Sequence, residues 1–217
     1  AGNEWRNITN YLQMFPKGKV IIILRDPRDI ICSFKKNTIA KKNDYLISLF
    51  NFVDLIDYSL LLKKDYPNNI HIIKFNELKK DSKFIMKKVC KFLAIKFNQK
   101  MINEKYFKDI NGKKWDQTKA FSFTGKLKKN NIGRWKSIIK IEDLFLCEFI
   151  AKKQMKMMGL EKSNMIFNKK TVDKGLKKIT SSALLTDSFL RWINTQEGND
   201  KYPLDPTKPK NWDMSQF

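Results

Sequence analysis

The chain has 217 residues, 44 of them Lys or Arg against 22 Asp or Glu, for a formal charge of +22, and 42% are hydrophobic. That apolar fraction excludes a disordered tail, and the length suits one domain with a full core. The longest lipophilic stretch, residues 20–24, is strand-sized, so no membrane span is predicted.

At the N-terminus, Ala1-Gly2-Asn3-Glu4-Trp5-Arg6 offers neither a basic nor an apolar signal-peptide region, which points to a cytoplasmic chain starting in mid-domain. Residues 19–25 (KVIIILR) form a continuous apolar run ending in a charge, the pattern of a parallel strand covered by helices on both faces. In the following turn, Asp26 suits a helix N-cap and Pro27 the first helical position. Asp29 stands where a capping box places its acid. The helix they open runs through Ile30, Ile31 and Phe34 to Asn37.

Residues 44–65 carry apolar side chains at 46, 49, 50, 53, 56, 60 and 61, a helical stripe that Tyr66-Pro67-Asn68-Asn69 breaks. Residues 70–75 read as a second strand. Asp81 or Ser82 then caps a helix carrying Phe84, Ile85, Val89, Phe92 and Leu93. Strand, helix, strand, helix in this order predicts an α/β fold with a parallel sheet. Residues 98–131 are polar and irregular, with Lys-rich patches around Trp115 and Phe121; a loop of this length inside a domain is often functional. The two aromatics read as core fillers before adenine platforms. An amphipathic helix spans 141–158 with Gly159 placed to end it, and 186–194 forms a last helix. Beyond Gln196, prolines at 203, 206 and 209 predict an extended tail, so the domain covers 1–195 and the tail 196–217. There is no internal repeat.

The charge is unevenly built. Thirty-nine of the basic residues are Lys and only five are Arg (6, 25, 28, 134 and 191), beside 19 Asn and 24 Ile, an excess that A- and T-rich codons produce. Nucleic-acid readers favour Arg, so a Lys-coated surface is the plainer reading and each Arg position is the more informative. Cys32, Cys90 and Cys147 lack any CxxC spacing, so neither a disulfide scaffold nor a zinc site is predicted. The lone His71 alternates as a strand residue and reads as structural.

In an open parallel sheet, ligands collect at the carboxyl ends of strands, where the next helix begins. Arg25 sits at such an end, with Ser33 eight residues on, sharing a helix face with Asp29. A guanidinium, a hydroxyl and the free N–H groups of a helix start make a chemically sensible phosphate clamp.

The stretch from Lys19 to Phe34, KVIIILRDPRDIICSF, resembles the 3′-phosphate-binding segment of sulfotransferases that use 3′-phosphoadenosine-5′-phosphosulfate (PAPS). Arg25 and Ser33 match that segment in identity and spacing, and Phe15-Pro16 is similar to its lead-in. Residues 73–83 (IKFNELKKDSK), with the helix ending Lys91-Phe92-Leu93, look like the family's second strand, acidic pair and helix. Phe75 stands where many members have a nucleotide-contacting Tyr. Ile132-Gly133-Arg134-Trp135-Lys136, before the helix ending Met158-Gly159-Leu160, is similar to the late Gly-x-Trp-Lys segment. The likeness covers residues 13–160.

That resemblance implies a three-layer α/β fold with a central parallel sheet in a P-loop-nucleotide-hydrolase-like sulfotransferase topology. It implies a 3′-phosphate held by Arg25 and Ser33, and gripped from the opposite side by Lys128 and Lys129, where Asn130 replaces the usual Gly. It also implies a Gly/Ser/Thr-rich loop for the 5′-phosphosulfate, which the chain does not contain. The expectation is therefore an N-terminally truncated sulfotransferase, inactive by itself, with the alternative of a degenerate or circularly altered relative. The base, often His and sometimes Glu, would fall near or before Ala1; Glu4 reads as solvated, and no catalytic residue is assigned.

The function that follows is transfer of a sulfuryl group from PAPS to a hydroxyl or amine of a small molecule, glycan or lipid, with no metal required. The alternative is a non-catalytic Lys-rich binder of nucleic acid or anionic polymer. The first reading is favoured because Arg25 and Ser33 are placed and the lysines are scattered.

Overall fold

The computed structural model describes residues 4–37, 43–109, 111–113 and 133–198. Helix α1 (Ile8–Met14) leads into strand β1 (Val20–Leu24), helix α2 (Pro27–Asn37) and the long helix α3 (Ile47–Asp65). Strand β2 (Ile70–Lys74), helix α4 (Phe75–Lys80) and helix α5 (Ser82–Leu93) follow. After two short 3₁₀ turns come α6 (Trp135–Ile138), α7 (Ile141–Ile150), α8 (Lys152–Met157), α9 (Lys169–Ile179) and α10 (Ala183–Thr195).

β1 and β2 pair in parallel, with Val20 beside Ile70 and Leu24 beside Lys74, so the two predicted strands do share one sheet. Among the described residues that sheet has two strands. Its faces are not equally covered. Ile22, Leu24 and Ile70 enter the main core with α3, while Ile73 packs with Ile85 and Val89 of α5 on the other side. His71, on that second face, stacks on Phe92 at 5.1 Å. β2 thus lies between two helical layers. On β1, however, Ile21 and Ile23 stay 37% and 51% exposed, so the expected cover on both faces is incomplete.

α3 departs from the predicted stripe. It is the central helix of the core: Leu49, Phe50, Phe52, Val53, Ile56 and Leu62 are all buried, while Leu60 and Leu61 face outward. Each fully buried aliphatic or aromatic side chain here contributes about 1.5–3 kcal/mol. By length and composition the segment Asp44–Asp65 would also pass for a membrane span, which the run-length reading missed, but 67% of its apolar window is buried inside the fold. Packing against α10, α2, α7 and β2 accounts for its apolar character.

Helix ends follow local chemistry. Asp81, rather than Ser82, caps α5 by accepting from the Phe84 N–H at 2.9 Å. Gly159 ends α8 at φ +68, and the Leu160 N–H reaches the Met155 carbonyl at 2.9 Å. The Gly159 N–H meets the Lys156 carbonyl in the same way, completing a Schellman motif. The predicted 141–158 helix is broken at Ala151 into α7 and α8. α9 was not foreseen; Asn168 caps it through the Thr171 N–H.

The layers around α7 are tied by one carboxylate. Buried Asp143 accepts from Tyr45 Oη at 2.8 Å, from Lys35 Nζ at 2.7 Å and from Lys178 Nζ. Burial alone would raise its pKa, but Lys178, Lys35 and Tyr45 hold it below the ordinary carboxylate range. A carboxyl lowered by folding stabilises above its unfolded pKa of about 3.9, and that stability is lost as pH falls through the folded value. Asp143→Asn should lower stability at pH 7 by about 1.5 kcal/mol. It should also flatten the wild-type loss below pH 4, checked by urea unfolding across pH.

Candidate functional site

The turn between β1 and α2 organises this end of the sheet. Asp26 caps α2, its Oδ1 accepting from the Arg28 N–H at 2.9 Å, as its place before Pro27 predicts. Asp29 does not complete a capping box. Its buried carboxylate reaches across the chain to the Trp135 N–H at 3.0 Å and the Gly133 N–H at 3.3 Å. Burial raises the Asp29 pKa above the usual value, against those two amides.

Arg28 is the hub. Its Nε and Nη2 fork onto Asp26 at 2.9 and 2.8 Å, and its Nη1 donates to Glu148 at 3.1 Å and to the Glu161 carbonyl at 2.9 Å. Its guanidinium lies 4.0 Å from the centre of the Trp135 ring. Glu148 in turn accepts from the Ser163 N–H and hydroxyl. All three Arg28 side-chain nitrogens therefore donate within the protein itself.

Arg25 is the opposite case. It leaves β1 at the carboxyl end, half-buried, and its Nε is buried with no hydrogen-bond partner among the described residues. Its guanidinium lies 4.9 Å from the centre of the Phe75 ring, which follows the carboxyl end of the paired strand β2. The Oδ1 of Asn76, the next residue in the chain, is likewise buried and unpartnered among the described residues. Buried polar atoms left this way ask for an outside partner.

Ser33 stands six residues into α2, about 9 Å along the helix axis from Pro27, half-buried and one turn beyond Asp29 on the same face. Since Asp29 holds Gly133 and Trp135, the segment carrying Arg134 runs beside that face. The adjoining Cys32 thiol is pushed up to about 11, chiefly by burial and then by Asp29 and Asp143, with Lys35 and Arg134 pulling the other way. It stays protonated at neutral pH.

One element of the predicted clamp is not available. Pro27 has no N–H, the Arg28 N–H goes to the Asp26 carboxylate, and the Asp29 and Ile30 N–H groups go to the Asp26 carbonyl at 3.1 Å. The first N–H groups of α2 are thus satisfied internally, and an acid sits on the helix start. Anion binding here must come from side chains. Lys128 and Lys129, with Trp115 and Phe121, lie outside the described residues.

The sulfotransferase domain model matches residues 9–159. The chain belongs to the sulfotransferase domain family. It is also similar in fold to the solved "Sulfotransferase Domain from the Curacin Biosynthetic Pathway", at 16% identity and a TM-score of 0.55, over 75% of this chain. The chain spans 62% of that domain's length. No curated protein sequence matches it. The sulfotransferase match includes both strands, Arg25, Ser33 and the Gly133–Trp135 segment, and ends at Gly159. α9 and α10 lie beyond it, yet their Ile179, Leu185 and Trp192 belong to the same core.

A cavity of about 770 Å³ lies elsewhere, between α7, α8 and α10, walled by Phe149, Met155, Leu160 and Trp192; neither Arg25 nor Ser33 lines it. Among the described residues no group of three or more His, Cys, Asp or Glu side chains is placed to hold a metal ion.

Proposed function

We propose that this sulfotransferase-family chain binds PAPS, and that its reaction moves the sulfuryl group to a hydroxyl or amine acceptor in a P-loop-like fold. The observation that supports the reading is Arg25. It is an Arg at the carboxyl end of a parallel strand whose Nε is desolvated with no hydrogen-bond partner among the described residues, while neighbouring Arg28 bonds to two carboxylates and a carbonyl. A dianionic 3′-phosphate supplies the missing acceptors.

In the reaction, the bond from sulfur to the 5′-phosphate oxygen breaks as a bond from sulfur to the acceptor forms. The acceptor's proton passes to a base, and 3′-phosphoadenosine 5′-phosphate (PAP) leaves with the electron pair on its phosphate. Arg25 and Ser33 act remotely: by fixing the 3′-phosphate they hold the nucleotide in register for in-line attack, which is where positioning supplies rate. Arg134, carried beside Ser33's face, and Lys128 and Lys129 close the site in this reading. The scheme requires no metal.

Calorimetric titration of the chain with PAP and with adenosine 5′-phosphate tests this. PAP should bind at least about tenfold more tightly, the worth of one charge-assisted contact. Equal affinities for the two nucleotides would remove the basis of the reading.

A further inference from the structure

We infer that Phe75 is a positioning residue for Arg25, presenting that guanidinium to the nucleotide's 3′-phosphate through its ring face. The inference rests on the PAPS reading above and deepens it. Three observations carry it. The Arg25 guanidinium lies 4.9 Å from the centre of the Phe75 ring, within the range of cation–π attraction. Neither nearby carboxylate hydrogen-bonds Arg25 among the described residues: Asp26 is forked by Arg28, and Asp29, which feels the Arg25 charge, accepts from the Gly133 and Trp135 amides. Register then fixes the pair: Leu24 lies beside Lys74, so Arg25 and Phe75 leave the sheet side by side.

The physical point is what each kind of partner leaves free. A carboxylate orients an Arg by occupying its N–H donors and cancelling its charge, as Asp26 does for Arg28. An aromatic face orients the guanidinium through its plane and occupies none of its in-plane N–H donors. Lys79 Nζ stands 5.8 Å from the centre of the same ring, so the ring gathers a second cation at this end of the sheet.

The test is titration of PAP and adenosine 5′-phosphate against the wild-type chain, Phe75→Leu, Phe75→Met, Phe75→Trp and Arg25→Ala, with melting temperatures for each. Phe75→Leu and Phe75→Met should weaken PAP binding about three- to tenfold, while adenosine 5′-phosphate binding changes less than about twofold. Phe75→Trp should keep the PAP affinity, because it restores a ring face. In an Arg25→Ala background, Phe75→Leu should produce no further loss, as for two residues acting through one contact. If the wild type does not distinguish PAP from adenosine 5′-phosphate, the nucleotide reading fails and this inference with it. If the wild type does distinguish them, the inference alone is overturned by any of three results. These are unchanged PAP affinity in the Leu and Met variants, equal losses for both nucleotides, or an undiminished effect of Phe75→Leu without Arg25.

Discussion

Arg28→Met should destabilise the fold by about 3–5 kcal/mol, the usual consequence of removing one member of a buried charge cluster. Arg28 is 4% exposed, and it answers two carboxylates that are themselves buried, Asp26 and Glu148. Met fills much of the volume against Trp135 but leaves both acids without their cation. It also frees the Glu161 carbonyl, which anchors the strand of chain beyond α8. Arg28→Lys keeps the charge and loses the fork, so it should recover only part of the loss. Against a total stability of about 5–15 kcal/mol for an ordinary domain, the Met variant should be partly unfolded at moderate urea. The measurement is the urea midpoint by circular dichroism. A change under about 1 kcal/mol would mean that the cluster contributes specificity and little stability.

What the sequence disclosed and what it hid divide along contact distance. β1, the Asp26–Pro27 helix start, β2 and the Asp81 cap are written within a few residues, in apolar runs and in side chains that meet the nearest N–H. Gly159 is the same kind of signal. The α9 start was equally legible, because Asn168 precedes Thr171 and apolar Val172, Leu176 and Ile179 fall at helical spacing. Phe75 read as the end of a strand because its residue type favours one. The structure ends the β1–β2 ladder at Leu24 and Lys74, and Phe75 begins a helix instead.

The distant partners could not be read. Arg28 and Glu148 are 120 positions apart, and Asp29 and Trp135 are 106 apart. Nothing local says that Asp29 will turn away from its own helix start to hold another segment. For the same reason, the sequence placed Arg25 at the strand end but assigned no role to Arg28 in the same turn. Packing separates them, making Arg28 the centre of a buried network and leaving Arg25 on an aromatic ring with a donor unanswered among the described residues.

That contrast sets the second large effect. Arg25→Ala should weaken PAP binding on the order of ten- to a hundredfold, the equivalent of about 1.5–3 kcal/mol for a lost charge-assisted contact. Ser33→Ala should weaken it more modestly, because a hydroxyl supplies one neutral donor where the guanidinium supplies a charged fork. Adenosine 5′-phosphate, which lacks the 3′-phosphate, should bind both variants as it binds the wild type. Melting temperatures should barely move, since Arg25 makes no ion pair among the described residues and its ring contact is partly exposed. The helix start cannot substitute for the lost cation, because its first N–H groups already serve Asp26. The residual preference for PAP in Arg25→Ala must then come from Ser33 and the basic segment around Arg134, and should fall further in the Arg25→Ala/Ser33→Ala pair. Titration of both nucleotides against all three variants reads each of these terms. Equal losses for PAP and adenosine 5′-phosphate would show that Arg25 serves the fold of the strand end and not the 3′-phosphate.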